Sequence, residues 1–129
     1  MNKQFLFYIL ISVLFFSCND EEIQDDNFNA ADDFNRTIEI NSYHVYDVPN
    51  ALDSILPEVQ VEIYSVRENF IDRINADAIR TTDSTGLCIF ENRNKDYYWI
   101  VAEDDAFGII TDSVSTPANT ISFVELLFY

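Results

Sequence analysis

From residue 36 onward, apolar and polar residues alternate in short runs. In Glu58-Val59-Gln60-Val61-Glu62-Ile63-Tyr64 the valines and Ile63 fall on one side and the polar residues on the other, which is the period of a half-buried strand. The same pattern predicts strands over 37–46, 79–83, 87–91, 97–103, 107–112 and 120–128, about seven in all. Strands this closely spaced, separated by turn residues such as Asp83-Ser84-Thr85-Gly86, predict an all-β fold: an antiparallel, immunoglobulin-like sandwich around one core. The stretch SVRENFIDRIN, 65–75, breaks the rhythm. Phe70 and Ile74 stand four apart and Ser65 with Glu68 has the spacing of a capping box, so one short helical excursion is expected there.

The first 17 residues follow a different rule. Lys3 is followed by an apolar run of about a dozen residues, too short for a bilayer core that needs roughly 20, so it reads as the h-region of a signal peptide. The run ends at Leu14-Phe15-Phe16-Ser17-Cys18, which resembles a bacterial lipobox. The resemblance implies cleavage before Cys18 and lipidation of its sulfur, with the membrane as a partner through that anchor. Two or more acyl chains hold a protein stably where one does not, since each buried methylene contributes about 0.8 kcal/mol. With Cys18 committed to lipid, Cys88 has no partner for a disulfide within the mature chain.

Residues 18–35 carry many Asp, Glu and Asn residues and no sustained period, so they read as an acidic disordered tether ahead of a domain at 36–129. Seventeen flexible residues reach roughly 20–25 Å, enough to lift a small domain off the headgroups. Asp20, Glu21 and Glu22, directly behind the cysteine, resemble the signal by which Bacteroidota lipoproteins reach the outside of the outer membrane. Display at the cell surface is the location this implies. The alternative is a plain spacer with the domain facing the periplasm.

Charge narrows the choice of partners. Loss of Lys3 with the signal peptide leaves six basic residues against 23 acidic ones, a formal charge of −17. A field of that sign repels phosphate backbones and anionic headgroups, which argues against nucleic acid.

A wider resemblance runs over residues 56–104. Val59-x-Val61-x-Ile63-Tyr64, then Thr81-Thr82-Asp83-Ser84-Thr85-Gly86, Cys88-x-Phe90 and Tyr98-x-Ile100-x-Ala102 are similar to transthyretin-like, or carboxypeptidase-regulatory-like, sandwich modules. That likeness implies a hairpin turn closed by Gly86, and it implies no catalytic residue and no cofactor. Leu56-Pro57 stands where such modules often have glycine.

The remaining chemistry is sparse. His44, the single histidine, has no second histidine or cysteine placed to make a zinc site, and Cys88 lies mid-strand at the buried parity. No metal ligand set and no catalytic residue is assigned, so a small hydrolase using His44 is the weakest reading. Glu103-Asp104-Asp105 with Asp83-Ser84 would supply oxygens to calcium only if the two loops converge. Asp53-Ser54-Ile55, Asp83-Ser84-Thr85 and Asp112-Ser113-Val114 each resemble a Bacteroidota O-glycosylation acceptor, which marks Ser54, Ser84 and Ser113 for glycans.

The last predicted strand raises the question of a partner. Its alternation puts Ser122, Val124, Leu126 and Phe128 on one face and Ile121, Phe123, Glu125, Leu127 and Tyr129 on the other, so both faces carry large apolar groups. A β-bulge that swaps the parity midway is the commoner way to bury both halves. Failing that, either the excursion at Phe70 and Ile74 covers the second face, or Phe123, Leu127 and Tyr129 form an open strip for a protein or glycan partner. The sequence therefore predicts a surface lipoprotein with a non-catalytic binding or accessory sandwich, with a calcium- or glycan-binding domain as the alternative.

Overall fold

The computed structural model describes residues 35–129. They form an all-β sandwich of two four-stranded sheets. In chain order the elements are β1 (Arg36–Asp47), β2 (Leu52–Ile55), β3 (Gln60–Tyr64), α1 (Arg67–Asp72), β4 (Ala78–Thr81), β5 (Leu87–Arg93), β6 (Tyr97–Asp104), β7 (Gly108–Ser115) and β8 (Ile121–Phe128). Eight strands thus stand where about seven were expected. The addition is β2, whose four residues are all exposed and so leave no alternating signature.

The long β1 organises the first sheet. β8 runs along one of its edges, while the other edge is shared by β5, against the first half of β1, and β2, against the second half. The second sheet has the order β4-β3-β6-β7 and is antiparallel throughout. One pair departs from the antiparallel expectation: β1 and β8 are parallel, in register from Thr37 opposite Ile121 to His44 opposite Phe128. Parallel neighbours cannot be joined by a hairpin, and these two are the first and last strands, so the orientation comes from topology and not from local sequence.

The core lies between the sheets and collects the inward parity of each strand. Ile38 and Ile40 meet Cys88 and Phe90 across β1 and β5, and Val124, Leu126 and Phe128 line β8. Val61, Ile63, Tyr98, Ile100 and Ala102 come from the second sheet. Each large side chain removed from water contributes about 1.5–3 kcal/mol.

A buried polar node ties the sheets together where β1 changes neighbours. Ser42 Oγ donates to the Leu56 carbonyl, with the Gly86 carbonyl at 3.2 Å and Thr82 Oγ1 at 3.3 Å. Val59 N–H in turn donates to Thr82 Oγ1 over 3.0 Å. Gly86 belongs here for two reasons. Its φ of +74° is strained for any side chain, and a Cβ would sit 2.8 Å from the Ser42 carbonyl oxygen. The turn it closes is not the hairpin that the family likeness implied, because β4 and β5 lie in different sheets and the turn carries the chain from one to the other.

The helical excursion is real and short, but its start is not a capping box. The N-cap position is Val66, with no side-chain cap, because Ser65 gives its N–H and its hydroxyl to the Asp77 carboxylate instead. The helix stops at Arg73, whose left-handed φ of 50° turns the chain back.

Candidate functional site

On the outer face of the first sheet, four strands place their odd-numbered residues in rows of three. Ile89, Glu39 and Phe123 form one row across β5, β1 and β8, and Leu87, Asn41 and Glu125 form the next. Ile55 of β2, Tyr43 and Leu127 complete a third. The register of β8 on β1 is unbroken, so the expected bulge is absent and the parity holds along the whole strand. Leu126 is 1% exposed, while its neighbours by parity on the other face stand in water: Ile121 at 52%, Phe123 at 67% and Tyr129 at 73%. The excursion does not cover this face. It packs on the second sheet, against β3 and β6, on the opposite side of the molecule.

That second outer face is built around Glu62. Its carboxylate accepts from Arg73 Nη2 at 2.9 Å, Arg73 Nε at 3.3 Å and Gln60 Nε2 at 2.9 Å, and from the Tyr64 hydroxyl. Arg73 also reaches Glu103, 2.8 Å away. Desolvation pushes the Glu62 carboxyl up, but the hydrogen bonds from Arg73, Tyr64 and Gln60 together with the Arg73 charge outweigh it and leave the group below its ordinary range. Burial and the bond to Glu62 hold the Tyr64 phenol up, at about 12. The network therefore stays charged and closed at neutral pH and fixes the excursion on its sheet. Above it Phe70 lies between Tyr64 and Trp99, with ring centroids 6.2 and 6.4 Å away, and Tyr97 meets Trp99 edge-on at 4.9 Å. Ile74, the second apolar residue of the excursion, is exposed.

Sequence reasoning missed the Glu62 network and the Ser42 node. Glu62 and Tyr64 on one strand face were a readable signal for the first. Two small hydroxyls at buried positions were a weaker one for the second.

The remaining predicted residues are dispersed. Ser54 lies in β2, Ser84 in the β4–β5 turn and Ser113 in the middle of β7 beside Trp99, and all three are exposed. His44 is half-buried and stacks on Phe107 with ring centroids 4.0 Å apart. Cys88 is buried in the core, and desolvation pushes its thiol up to about 11. Cys18, Asp20, Glu21 and Glu22 lie outside the described residues.

The two acidic loops flank Pro57-Glu58 at one end of the sandwich and line separate grooves. Three of their four carboxylates, all but that of Asp105, are already engaged. Asp83 Oδ1 accepts from Thr85 and Leu87, Asp104 Oδ1 accepts from Ala106 and Phe107, and Glu103 is paired with Arg73. Among the described residues no three His, Cys, Asp or Glu side chains gather in a metal-binding arrangement. No family model matches the chain, and no curated protein matches it.

Proposed function

We propose that this chain is an outer-membrane lipoprotein, anchored through lipid on Cys18 and directed to the cell surface by the acidic signal Asp20, Glu21 and Glu22. Its transthyretin-like sandwich is a non-catalytic binding module that docks a protein partner on the outer face of β8 and β1. The unbroken parity of β8 carries the reading, because it leaves Phe123 and Tyr129 in water beside Tyr43 and Leu127 with nothing among the described residues packed over them. The non-catalytic part draws support from a Cys88 thiol that is buried and held protonated, and from a His44 ring stacked on Phe107.

Cys18→Ala should abolish fatty-acid labelling and mislocalise the protein. Alanine at Asp20, Glu21 and Glu22 should keep the lipid but leave the domain facing the periplasm, so that protease added to whole cells no longer removes it. If that triple variant is shaved as readily as wild type, the acidic cluster is a spacer and surface display by that signal is wrong. Glycans at Ser54, Ser84 and Ser113 should add hexose increments to the intact mass of natively made protein, and an unmodified mass would rule them out.

One observation favours a second reading. Tyr97 and Trp99 form an aromatic corner on β6 with Ser113 and Ser115 opposite them on β7, the mix of flat apolar surface and hydroxyls that suits a sugar ring. Trp99 is the only tryptophan, so quenching of its fluorescence by an added oligosaccharide reports on this corner directly.

A further inference from the structure

We infer that the open face of the first sheet receives a basic amphipathic helix of a partner protein, an assignment that rests on the reading of this face as the docking surface. The apolar rows of this face are interrupted by negative charges. Glu39 stands between Ile89 and Phe123, Glu125 stands next to Asn41, and Glu91 and Asp53 mark the ends of the face. No Lys or Arg occupies an outward position of 37–45, 53–55, 87–91 or 121–129. Among the described residues the ion pairs are those of Arg73 with Glu62 and Glu103, on the opposite sheet, so Glu39 and Glu125 have none. An occupant that covers Phe123 and Leu127 must also cover these carboxylates, and burying a carboxylate without a partner is strongly unfavourable. The occupant therefore brings cations flanking its apolar groups.

Charge also disfavours the two occupants nearest at hand. A second copy would set Glu39 and Glu125 against their own kind. Residues 19–34 of this chain carry seven acidic residues and no basic one, so they would do the same. Dimensions favour a helix. Eight residues of β8 at about 3.4 Å each give a strip roughly 27 Å long, and three strands about 4.8 Å apart give a width near 10 Å. A helix of about 18 residues has that length and that diameter.

The test titrates the full chain, in non-ionic detergent, with a fluorescent 18-residue peptide that has leucine at helical spacing and lysine on the flanks. The expected result is micromolar binding that is lost when glutamate replaces the lysines. Binding should weaken at least tenfold in Glu39→Gln with Glu125→Gln, and change less than threefold in Asp104→Asn with Asp105→Asn, which removes the same charge elsewhere. Phe123→Ser should abolish it at unchanged melting temperature, because that ring is already exposed, and adding Leu127→Ser, at a half-buried position, should abolish it in a protein that still unfolds cooperatively. Equal losses in the two charge variants would reduce the effect to bulk attraction and overturn the proposal. So would tighter binding of an isomeric peptide in strand alternation, direct binding of a labelled synthetic 19–34 peptide that Phe123→Ser abolishes, or a dimer in sedimentation that Phe123→Ser disrupts. If the serine variant loses the probe while the glutamine variant does not, the basic-helix assignment falls and the docking face stands. If neither variant matters, both fall.

Discussion

Phe123 of β8 stands directly beside Glu39 of β1, in parallel register, on a sheet face that no other part of the described chain covers. One step along β8, the side chains turn inward and Val124 and Leu126 enter the core. A strand so apolar on both faces would be ordinary in the middle of a three-layer protein. In a two-layer sandwich it leaves one face without a partner among the described residues.

The parity of β8 makes a paired prediction about stability. Leu126→Ala empties a core position and should cost about 2–5 kcal/mol. Phe123→Ser should stay within about 1 kcal/mol of wild type, because the ring is already in water. Urea unfolding of both variants checks this, and a Phe123 cost as large as that of Leu126 would mean that the strand is inverted or bulged.

Glu62 and Arg73 give the fold a dependence on acid. Because the folded-state pKa of Glu62 is depressed, its contribution is fully present above the unfolded-state value, near 4.3, and is lost as pH falls through the lower folded value. The melting temperature should therefore drop as pH falls below about 4.3. Glu62→Gln should remove this part of the slope, and an unchanged pH profile in that variant would refute the assignment. Arg73→Met leaves the carboxylate short of its main partner and should cost about 1–2 kcal/mol, less than the breaking of a deeply buried pair because the guanidinium is partly exposed.

The two glycines separate crowding from backbone strain. Both have positive φ, +74° at Gly86 and +85° at Gly108, but a Cβ at Gly108 meets nothing within 4 Å. Gly108→Ala should cost only the conformational term, about 1–2 kcal/mol. Gly86→Ala adds a clash with the Ser42 carbonyl, which also accepts the Leu56 N–H, and should cost roughly twice as much. Equal melting temperatures for the two variants would show that the node at Ser42 yields.

Cys88 should be inert in the folded protein. Its thiol, held near 11 by burial, should resist iodoacetamide at pH 8 and react once urea unfolds the chain, as followed by peptide mass spectrometry. Rapid labelling of native protein would place Cys88 outside the core.

What the sequence revealed and concealed follows from which interactions are local. β3 was legible because Val59, Val61 and Ile63 share one buried face while Gln60 points away from it. β2 was not, because Leu52, Asp53, Ser54 and Ile55 are all exposed and leave no alternation to read. The capping box failed because Ser65 had a better acceptor in Asp77, twelve residues on. Nothing local could show that β8 would lie parallel to β1, since that depends on which sheet the chain enters after β7. The pattern of β8 did expose the problem of two apolar faces. Its solution, an open face, needed the register of two strands more than 70 residues apart in sequence.

The docking face is tested most directly by a photoreactive amino acid placed at position 123, 127 or 111 in the otherwise native protein, followed by irradiation of intact cells. Position 111 lies on β7, on the outer face of the other sheet. The account predicts one common adduct from 123 and 127 and none from 111. Adducts from 111 alone would move the binding surface to the sheet that carries Trp99 and contradict the account.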